Sequence, residues 1–557
     1  MKQFFLSVRT VRFSVSTIML TLLATANAFA NPASTLSIVA GAPKGSTARS
    51  TMSSANTPST RTLANELVSS AREQVSSSPL PSHPNIIFIL TDDLDYNSFA
   101  RFPRLKSLMT DQGSEFNNFF VSFSLCCPSR SSILRGQYIH NHQVVSNKKP
   151  DGGFVKFHSL GHENSTIATW LQAAGYRTVL IGKYLNDYPG GAVAPSYVPP
   201  GWNEWYSPVA GKPYSEFDYS LNENGKIVRY GTTPQDYMVD VLSHKATDYI
   251  QRTNTAQRPF FLYIAPYVPH APATPAPRYL NSFPNAKAPR SPSFNEADVS
   301  DKPAWIRHKL RLNSSEISGI DQRYRRRLQS MEAVGDLVSN LIQTLKATNQ
   351  LDNTYIFLTS DNGFNLGEHR IPFGKSSAYE EDIHVPLVVR GPGVPAGRVV
   401  KEMGLNIDFA PTFAQLAGVA APSFVDGRSL VPFLSNNPPP SDWRQAILLE
   451  RLTDNANTKA VNPPKYEALR TNRYKYVEYV NGERELYDLQ TDPHELNNLA
   501  GTADSKLIKQ LSLQLATLKS CAGASCRASQ MGAVQQNNGS SDVKEFSGSR
   551  SPRRVLP

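Results

Sequence analysis

From Asn85 to about Leu434, short apolar runs alternate with stretches of helical spacing, and each run ends on polar residues. Asn85 to Leu90 reads NIIFIL. Its unbroken, β-branched character predicts a strand buried on both faces of a parallel sheet. Arg177 to Ile181, Pro259 to Ala265 and Thr354 to Leu358 read the same way. Ser165 to Ala174 has helical spacing and closes on Gly175, as at a C-terminal cap. Ser131 to Tyr138 is helix-compatible behind Pro128, a residue suited to a first turn. Strands alternating with helices predict an α/β fold, a mostly parallel sheet with helices on both faces. After the break at Asn436 to Pro440 the pattern changes. Short strands are expected at Ala446 to Glu450, Tyr466 to Thr471, Tyr474 to Val480 and Glu485 to Leu489, with Asn481-Gly482 as a hairpin turn. With the helical spacing of Ser505 to Lys519, they predict a smaller C-terminal α+β domain around an antiparallel sheet.

The chain ends read differently. Lys2, Arg9 and Arg12, an apolar stretch from Phe13 to Ala24, and Ala28-Phe29-Ala30 predict a cleaved secretory signal over residues 1–30. No later segment reaches the roughly 18 apolar residues of a membrane span. Export to the periplasm or the medium is therefore expected, without a stable membrane anchor. Residues 31–84 are rich in Ser, Thr, Ala and Pro and predict a flexible leader. The main domain is expected over 85–440, the C-terminal domain over 441–526 and a disordered tail over 527–557. The net charge is +11, of which the signal carries +3, the leader +2 and the tail +3. Only +3 remains for the body, which gives little support to a polyanion surface beyond the local run of Arg323, Arg325, Arg326 and Arg327. On a helix such a run is usually a solvated face. No nucleic-acid motif is present. Four cysteines do not make a disulfide scaffold. Cys521 and Cys526 are close enough to pair in an oxidising compartment.

Polar residues follow the predicted strands directly. Thr91-Asp92-Asp93 follows the first strand, and Thr359-Ser360-Asp361-Asn362-Gly363 follows the run from Thr354. Open α/β sheets bind ligands at the carboxyl ends of their strands, and carboxylate with amide oxygens suits Ca²⁺ or Mg²⁺. Taken singly, such pairs are more often caps or turns. Lys183 and His270 stand just past two other strands, and Lys375 follows the Asp361 segment.

Cys126-Cys127-Pro128-Ser129-Arg130 resembles the C-x-P-S-R signature of type I sulfatases, in which the leading Cys is oxidised to formylglycine. Counted back from Pro128 and Arg130, only Cys126 keeps the register. The resemblance implies an alkaline-phosphatase-like fold and hydrolysis of sulfate monoesters. It implies that a formylglycine-generating enzyme acts during maturation, and that Asp92, Asp93, Asp361, Asn362 and the modified Cys126 bind one divalent cation, Ca²⁺ or else Mg²⁺. It further implies that Arg130 orients the aldehyde hydrate, that Lys183 and Lys375 hold sulfate oxygens or the leaving group, and that His270 deprotonates the hydrate to eject sulfate. His140-Asn141-His142 and Gly182-Lys183-Tyr184-Leu185-Asn186-Asp187-Tyr188 resemble the N-acetylglucosamine-6-sulfatase branch, which includes the extracellular heparan endosulfatases. Sulfated glycosaminoglycan-like sugars are the substrate this implies, with an aryl sulfate as the alternative. A phosphomonoesterase or phosphodiesterase on the same scaffold, and a non-catalytic sugar-binding relative with an unconverted Cys126, are further readings. Many sulfatases have a His where Leu185 stands, serving as the leaving-group acid. His140, His142 and Asn186 are the replacements considered for contact with the leaving group or substrate.

Overall fold

A computed structural model describes residues 83–254, 258–453 and 463–531. The expected signal, nearly all of the leader, and the tail beyond residue 531 lie outside the described residues. Asn85–Thr91 (β1) is buried at every position. Ile86, Phe88 and Leu90 face one hydrophobic layer and Ile87 and Ile89 the other, which is why the run is apolar without alternation. The remaining strands of the large sheet are Ser114–Phe116 (β2), Arg177–Gly182 (β4), Glu204–Gly211 (β5), Tyr219–Glu223 (β6), Lys226–Tyr230 (β7), Phe260–Ala265 (β8), Thr354–Ser360 (β9), Leu387–Arg390 (β10) and Arg398–Val400 (β11). Phe119–Phe120 (β3) and Gly404–Leu405 (β12) form a separate small pair. The ten strands of the large sheet run in the order β11-β2-β10-β9-β1-β8-β4-β5-β6-β7. The central five, β9-β1-β8-β4-β5, are parallel, whereas β10 on one side and β6 and β7 on the other join antiparallel.

Helices cover both faces. Cys126–Arg135 (α1), Ile167–Ala173 (α2) and Phe409–Leu416 (α5) contribute to the layer of Phe88. Met238–Thr253 (α3) and Ser314–Ala347 (α4) contribute to the layer of Ile87. The sheet is thus mostly parallel with helices on both faces. Among the described residues no helix is long and apolar enough to cross a membrane.

Ala446–Arg451 (β13), Tyr466–Thr471 (β14), Tyr474–Tyr479 (β15) and Arg484–Asp488 (β16) form a second sheet, antiparallel throughout. The expected turn lies between the last two strands, where Gly482 has φ +86°. Ser505–Leu518 (α6) buries Leu511, Leu515 and Leu518 in the core layer shared with this sheet. A polar seam joins the second sheet to the loop before β10. Glu485 accepts the Tyr379 hydroxyl at 2.7 Å, Glu380 accepts from Arg470 and Lys475 at 3.2 Å each, and Glu495 accepts the Glu380 amide at 2.8 Å. Residues 527–531, expected within a disordered tail, are instead structured. A helix continues over Ala524–Ser529, and buried Gln530 bonds the Tyr138 hydroxyl at 2.9 Å and Arg444 at 3.2 Å. Those partners stand far away in sequence, so the polar composition of the segment gave no sign of its anchorage.

Candidate functional site

The carboxyl ends of β9, β1, β8 and β4, four neighbouring parallel strands, open on one edge of the sheet. Asp92 and Asp93 follow β1, Asp361 and Asn362 follow β9, Lys183 follows β4, and Pro269-His270 lies beyond β8. Gly182 makes the last turn of β4 possible. Its φ is +108°, and a Cβ there would collide with the Ala265 carbonyl; Lys183 N donates to that same carbonyl at 2.8 Å. Cys126 is the first residue of α1, where backbone N–H groups favour negative charge.

The side chains converge. Ligand atoms of Asp92, Asp93, Cys126 and His270 lie within 4.8 Å of one another. Cys126 Sγ is 3.4 Å from Asp92 Oδ1 and 2.8 Å from Lys375 Nζ. Lys375 Nζ also bonds Asp93 Oδ1 and, at 3.3 Å, Asn362 Oδ1, while Lys183 Nζ pairs with Asp92 Oδ2. Asn362 Nδ2 donates to Asp93 Oδ1 at 2.7 Å, and Asp361 Oδ1 accepts the Asp93 amide at 3.2 Å. Arg130 is fully buried; its Nε donates to Asp361 Oδ2 at 2.8 Å and its Nη1 to the Lys183 carbonyl at 3.1 Å. Its Nη2 has no hydrogen-bond partner and lies 3.9 Å from Asp92 Oδ2. A buried guanidinium nitrogen left over in this way suits an anionic oxygen.

Electrostatics fix the protonation states. Burial raises the Asp92 pKa, but Lys183, His270 and Arg130 outweigh it and bring the carboxyl to about 2. Burial likewise opposes ionisation of Asp93, and Lys375 with His270 reverses it to a net lowering. Burial and Asp92 push the Cys126 thiol up to about 12 against the pull of Lys183 and Lys375. Burial among carboxylates thus works against ionisation of the encoded thiol, and the thiolate is the nucleophilic form of cysteine. His270 Nδ1 lies 2.7 Å from the Ala271 carbonyl, which can only accept, so Nδ1 donates there and Nε2 is the nitrogen turned to the site. That Nε2 is 3.7 Å from Asp93 Oδ2.

The donor set fits a hard divalent cation: three buried carboxylates and an amide, with Lys375 showing that a positive charge is accepted among them. Asn186 reaches the edge of the site, donating to the Tyr214 hydroxyl at 3.2 Å and lining a hollow with Lys183. His140 and His142 do not serve as expected. Both ring nitrogens of His140 are engaged, with Glu450 at 2.5 Å and the Cys521 carbonyl at 2.8 Å. His142 is fully buried, bonded to Ser132 Oγ at 2.9 Å and to the Val144 amide at 3.1 Å. Neither ring has a nitrogen left for a substrate. Cys521 and Cys526 form a disulfide.

Sequence reasoning missed Arg327. Its Nη2 donates to the Asp93 carbonyl at 2.5 Å and to Asp95 Oδ2 at 2.9 Å, and its Nη1 lies 3.4 Å from the Pro269 carbonyl. It ties the Asp93 turn to the segment carrying His270. The signal was its place on the buried stripe Ile320, Tyr324, Arg327, Met331, Val334, Val338, spaced four and three apart.

A sulfatase family model matches residues 84–419, and a model described as the C-terminal part of N-sulphoglucosamine sulphohydrolase matches residues 367–521. The chain is 34% identical over 479 residues to N-acetylglucosamine-6-sulfatase of Capra hircus, spanning 80% of this chain and 85% of that one. It is 35% identical over 502 residues to an arylsulfatase of Volvox carteri, spanning 80% and 75%. A solved structure described as a complex with its substrate D-glucosamine-2-N,6-O-disulfate superimposes with a TM-score of 0.67 at 27% identity, covering 78% of this chain and 97% of that one. The family match over most of the described body agrees with the strand-end arrangement, and the chain belongs to the sulfatase family as a sulfatase enzyme.

Proposed function

We propose that this sulfatase hydrolyses 6-O-sulfate monoesters of glucosamine residues in sulfated glycans, with formylglycine at position 126. The observation that carries the mechanism is the placement of Cys126: the first residue of a helix, with its Sγ 2.8 Å from Lys375 Nζ and 3.4 Å from Asp92 Oδ1. Its Sγ stands in for the oxygen of the aldehyde hydrate. The hydrate supplies two hydroxyls on one carbon, one to attack sulfur and one to expel sulfate by elimination, which divides a hard displacement into two easier steps. Asp92, Asp93, Asp361 and Asn362 would hold a divalent cation, Ca²⁺ foremost, which when bound polarises sulfate oxygens and favours the ionised hydrate.

The chain's own side chains do the rest. Lys375 and Lys183 are both held protonated against burial by the carboxylates beside them, with pKa values raised above the ordinary lysine range. They offer fixed positive charge to sulfate oxygens. Arg130 Nη2 offers a further donor, and His270 Nε2 is the base for the hydrate proton. The sugar assignment draws on the relative named N-acetylglucosamine-6-sulfatase and on the solved complex with a 6-O-sulfated glucosamine. An aryl sulfate substrate is the second reading, favoured by the similarity to the Volvox carteri arylsulfatase. Export to an oxidising compartment accords with the Cys521–Cys526 disulfide.

Two measurements test the proposal. The peptide containing residue 126 should weigh about 18 Da less than its cysteine form, the difference between CH₂SH and CHO. An ordinary thiol in active material removes the mechanism. Turnover of 6-O-sulfated N-acetylglucosamine against an aryl sulfate decides the substrate, since a good aryl leaving group needs less help from the enzyme.

A further inference from the structure

A cavity of about 610 Å³ opens from Asp93, His270 and Lys375 and continues away from them. This is within the range of sites for organic ligands, and far more than a sulfate fills. Its outer wall carries Lys309, Arg311 and Arg323. An adjoining hollow of about 400 Å³ adds Arg326 beside Arg323. None of these four cations has a carboxylate partner among the described residues, although surface cations elsewhere in the chain are paired, as Arg278 is with Asp240 and Asp336. Apart from Asp93, the carboxylate in the cavity wall is Glu316, which is occupied in capping α4 through the Asn313 amide at 2.9 Å. Arg370, also in the wall, spends its guanidinium on three backbone carbonyls.

Arg323 is set in place. Its guanidinium lies 4.0 Å from the centroid of Phe373, a ring that is 44% exposed at the mouth of the cavity. Leu310 beside it is 86% exposed. Burial, with the like charges of Arg327 and Arg326, lowers the Arg323 pKa, and burial lowers that of Lys309. Both cations carry an electrostatic cost that a bound anion relieves. An apolar floor with unpaired cations along one side matches a sugar ring lying on its C–H face with a second negative group at its edge.

We infer that Arg323, Lys309 and Arg311 form an anion subsite that selects glycans carrying a second negative group besides the sulfate being removed. This rests on the sugar reading above and adds to it what the neighbouring chemistry of the substrate must be. The second group is an N-sulfate on the same glucosamine or the carboxylate of an adjoining uronate, both of which a guanidinium binds by paired hydrogen bonds.

The test compares three substrates: 6-O-sulfated N-acetylglucosamine, glucosamine-2-N,6-O-disulfate, and the 6-O-sulfated N-acetylglucosamine linked to a uronate. Values of kcat and KM are measured for the full chain, Arg323→Ala and Lys309→Ala, at low and high salt. The full chain should favour one doubly charged sugar about tenfold through KM, the scale of one hydrogen bond to a charged group. Each variant should erase most of that preference, and salt should weaken it. Which sugar is favoured identifies the second group. A parent enzyme that cleaves all three sugars alike, or variants that keep the preference, overturn the subsite. An enzyme that cleaves an aryl sulfate but none of the sugars overturns the reading beneath it instead.

Discussion

Arg327→Met isolates a buried contact that ties the Asp93 turn to the segment carrying His270. Arg327 is 2% exposed, and its guanidinium bonds the Asp93 carbonyl, the Asp95 carboxylate and the Pro269 carbonyl. Removing one partner of a buried ion pair costs about 3–5 kcal/mol, because the other charge stays buried. Asp95 keeps two acceptances, from the Ser98 amide at 2.8 Å and its hydroxyl at 2.7 Å, which puts the loss at the lower end, about 3 kcal/mol. Asp93 itself sits at φ +69°, a left-handed conformation that a non-glycine residue adopts only when its surroundings impose it. Released from Arg327, the turn relaxes and its carboxylate moves. A shift of about 1 Å at a reacting group costs about a hundredfold in rate. Denaturant unfolding and kcat/KM on an aryl sulfate, at saturating Ca²⁺, read the two effects separately. Arg327→Lys, which keeps the charge and reaches fewer acceptors, should fall between. If Arg327→Met folds stably and its kcat/KM equals that of the parent, the positioning role of Arg327 is wrong.

Chelation should remove turnover, with recovery on adding Ca²⁺ and a rise in Tm with Ca²⁺ concentration; full activity after exhaustive chelation, with no metal detected, contradicts the assigned ligand set. Cys126→Ala should fold and lack measurable turnover, because the methyl group can supply neither the hydrate nor a thiolate; parental activity would falsify its role. Burial lowers the His140 pKa, but the hydrogen bond that Nδ1 donates to Glu450, with the carboxylate's charge, outweighs it and lifts the ring from 6.5 to about 9. A raised folded-state pKa gives stability that is complete below pH 6.5 and is lost as pH rises through 9. The Tm gap between the parent and His140→Gln should therefore narrow from pH 6 to pH 9.5, and a gap that widens refutes the assignment. Tyr379→Phe deletes one of three hydroxyls donated to Glu485, at 2.7 Å with Tyr479 and Tyr487 each at 2.8 Å. It should cost about 1–2 kcal/mol in denaturant unfolding, and a neutral outcome means the seam is held elsewhere.

How legible each part was depended on how local its cause is. β1, β8 and β9 showed themselves because burial on both faces leaves an unbroken apolar run, and the residues after them were exposed to view for the same reason. The β6 and β7 hairpin was not foreseen: β7 lies at the sheet edge with Lys226, Ile227 and Arg229 exposed, so its pattern carries no core face. The antiparallel entry of β10 depends on pairing with β9 and β2, which sequence spacing does not encode. His140 and His142 lay beside the right helix, but the groups claiming the His140 ring stand 310 and 381 residues away. Arg327 was hidden by its neighbours, since a run of arginines reads as a solvated face even when one of them falls on the buried stripe.

The seam between Tyr379-Glu380 and the second sheet bears on how genes of this kind can recombine. A crossover placed at the Asn436–Pro440 break would look harmless on the page. It would nonetheless deliver Glu380 to a foreign partner, and a donor lacking equivalents of Arg470, Lys475 and Glu485 would bury an orphaned carboxylate a few residues from Lys375. A swap that keeps this seam intact therefore has to carry residues 374–383 together with the strands that bear Arg470, Lys475 and Glu485.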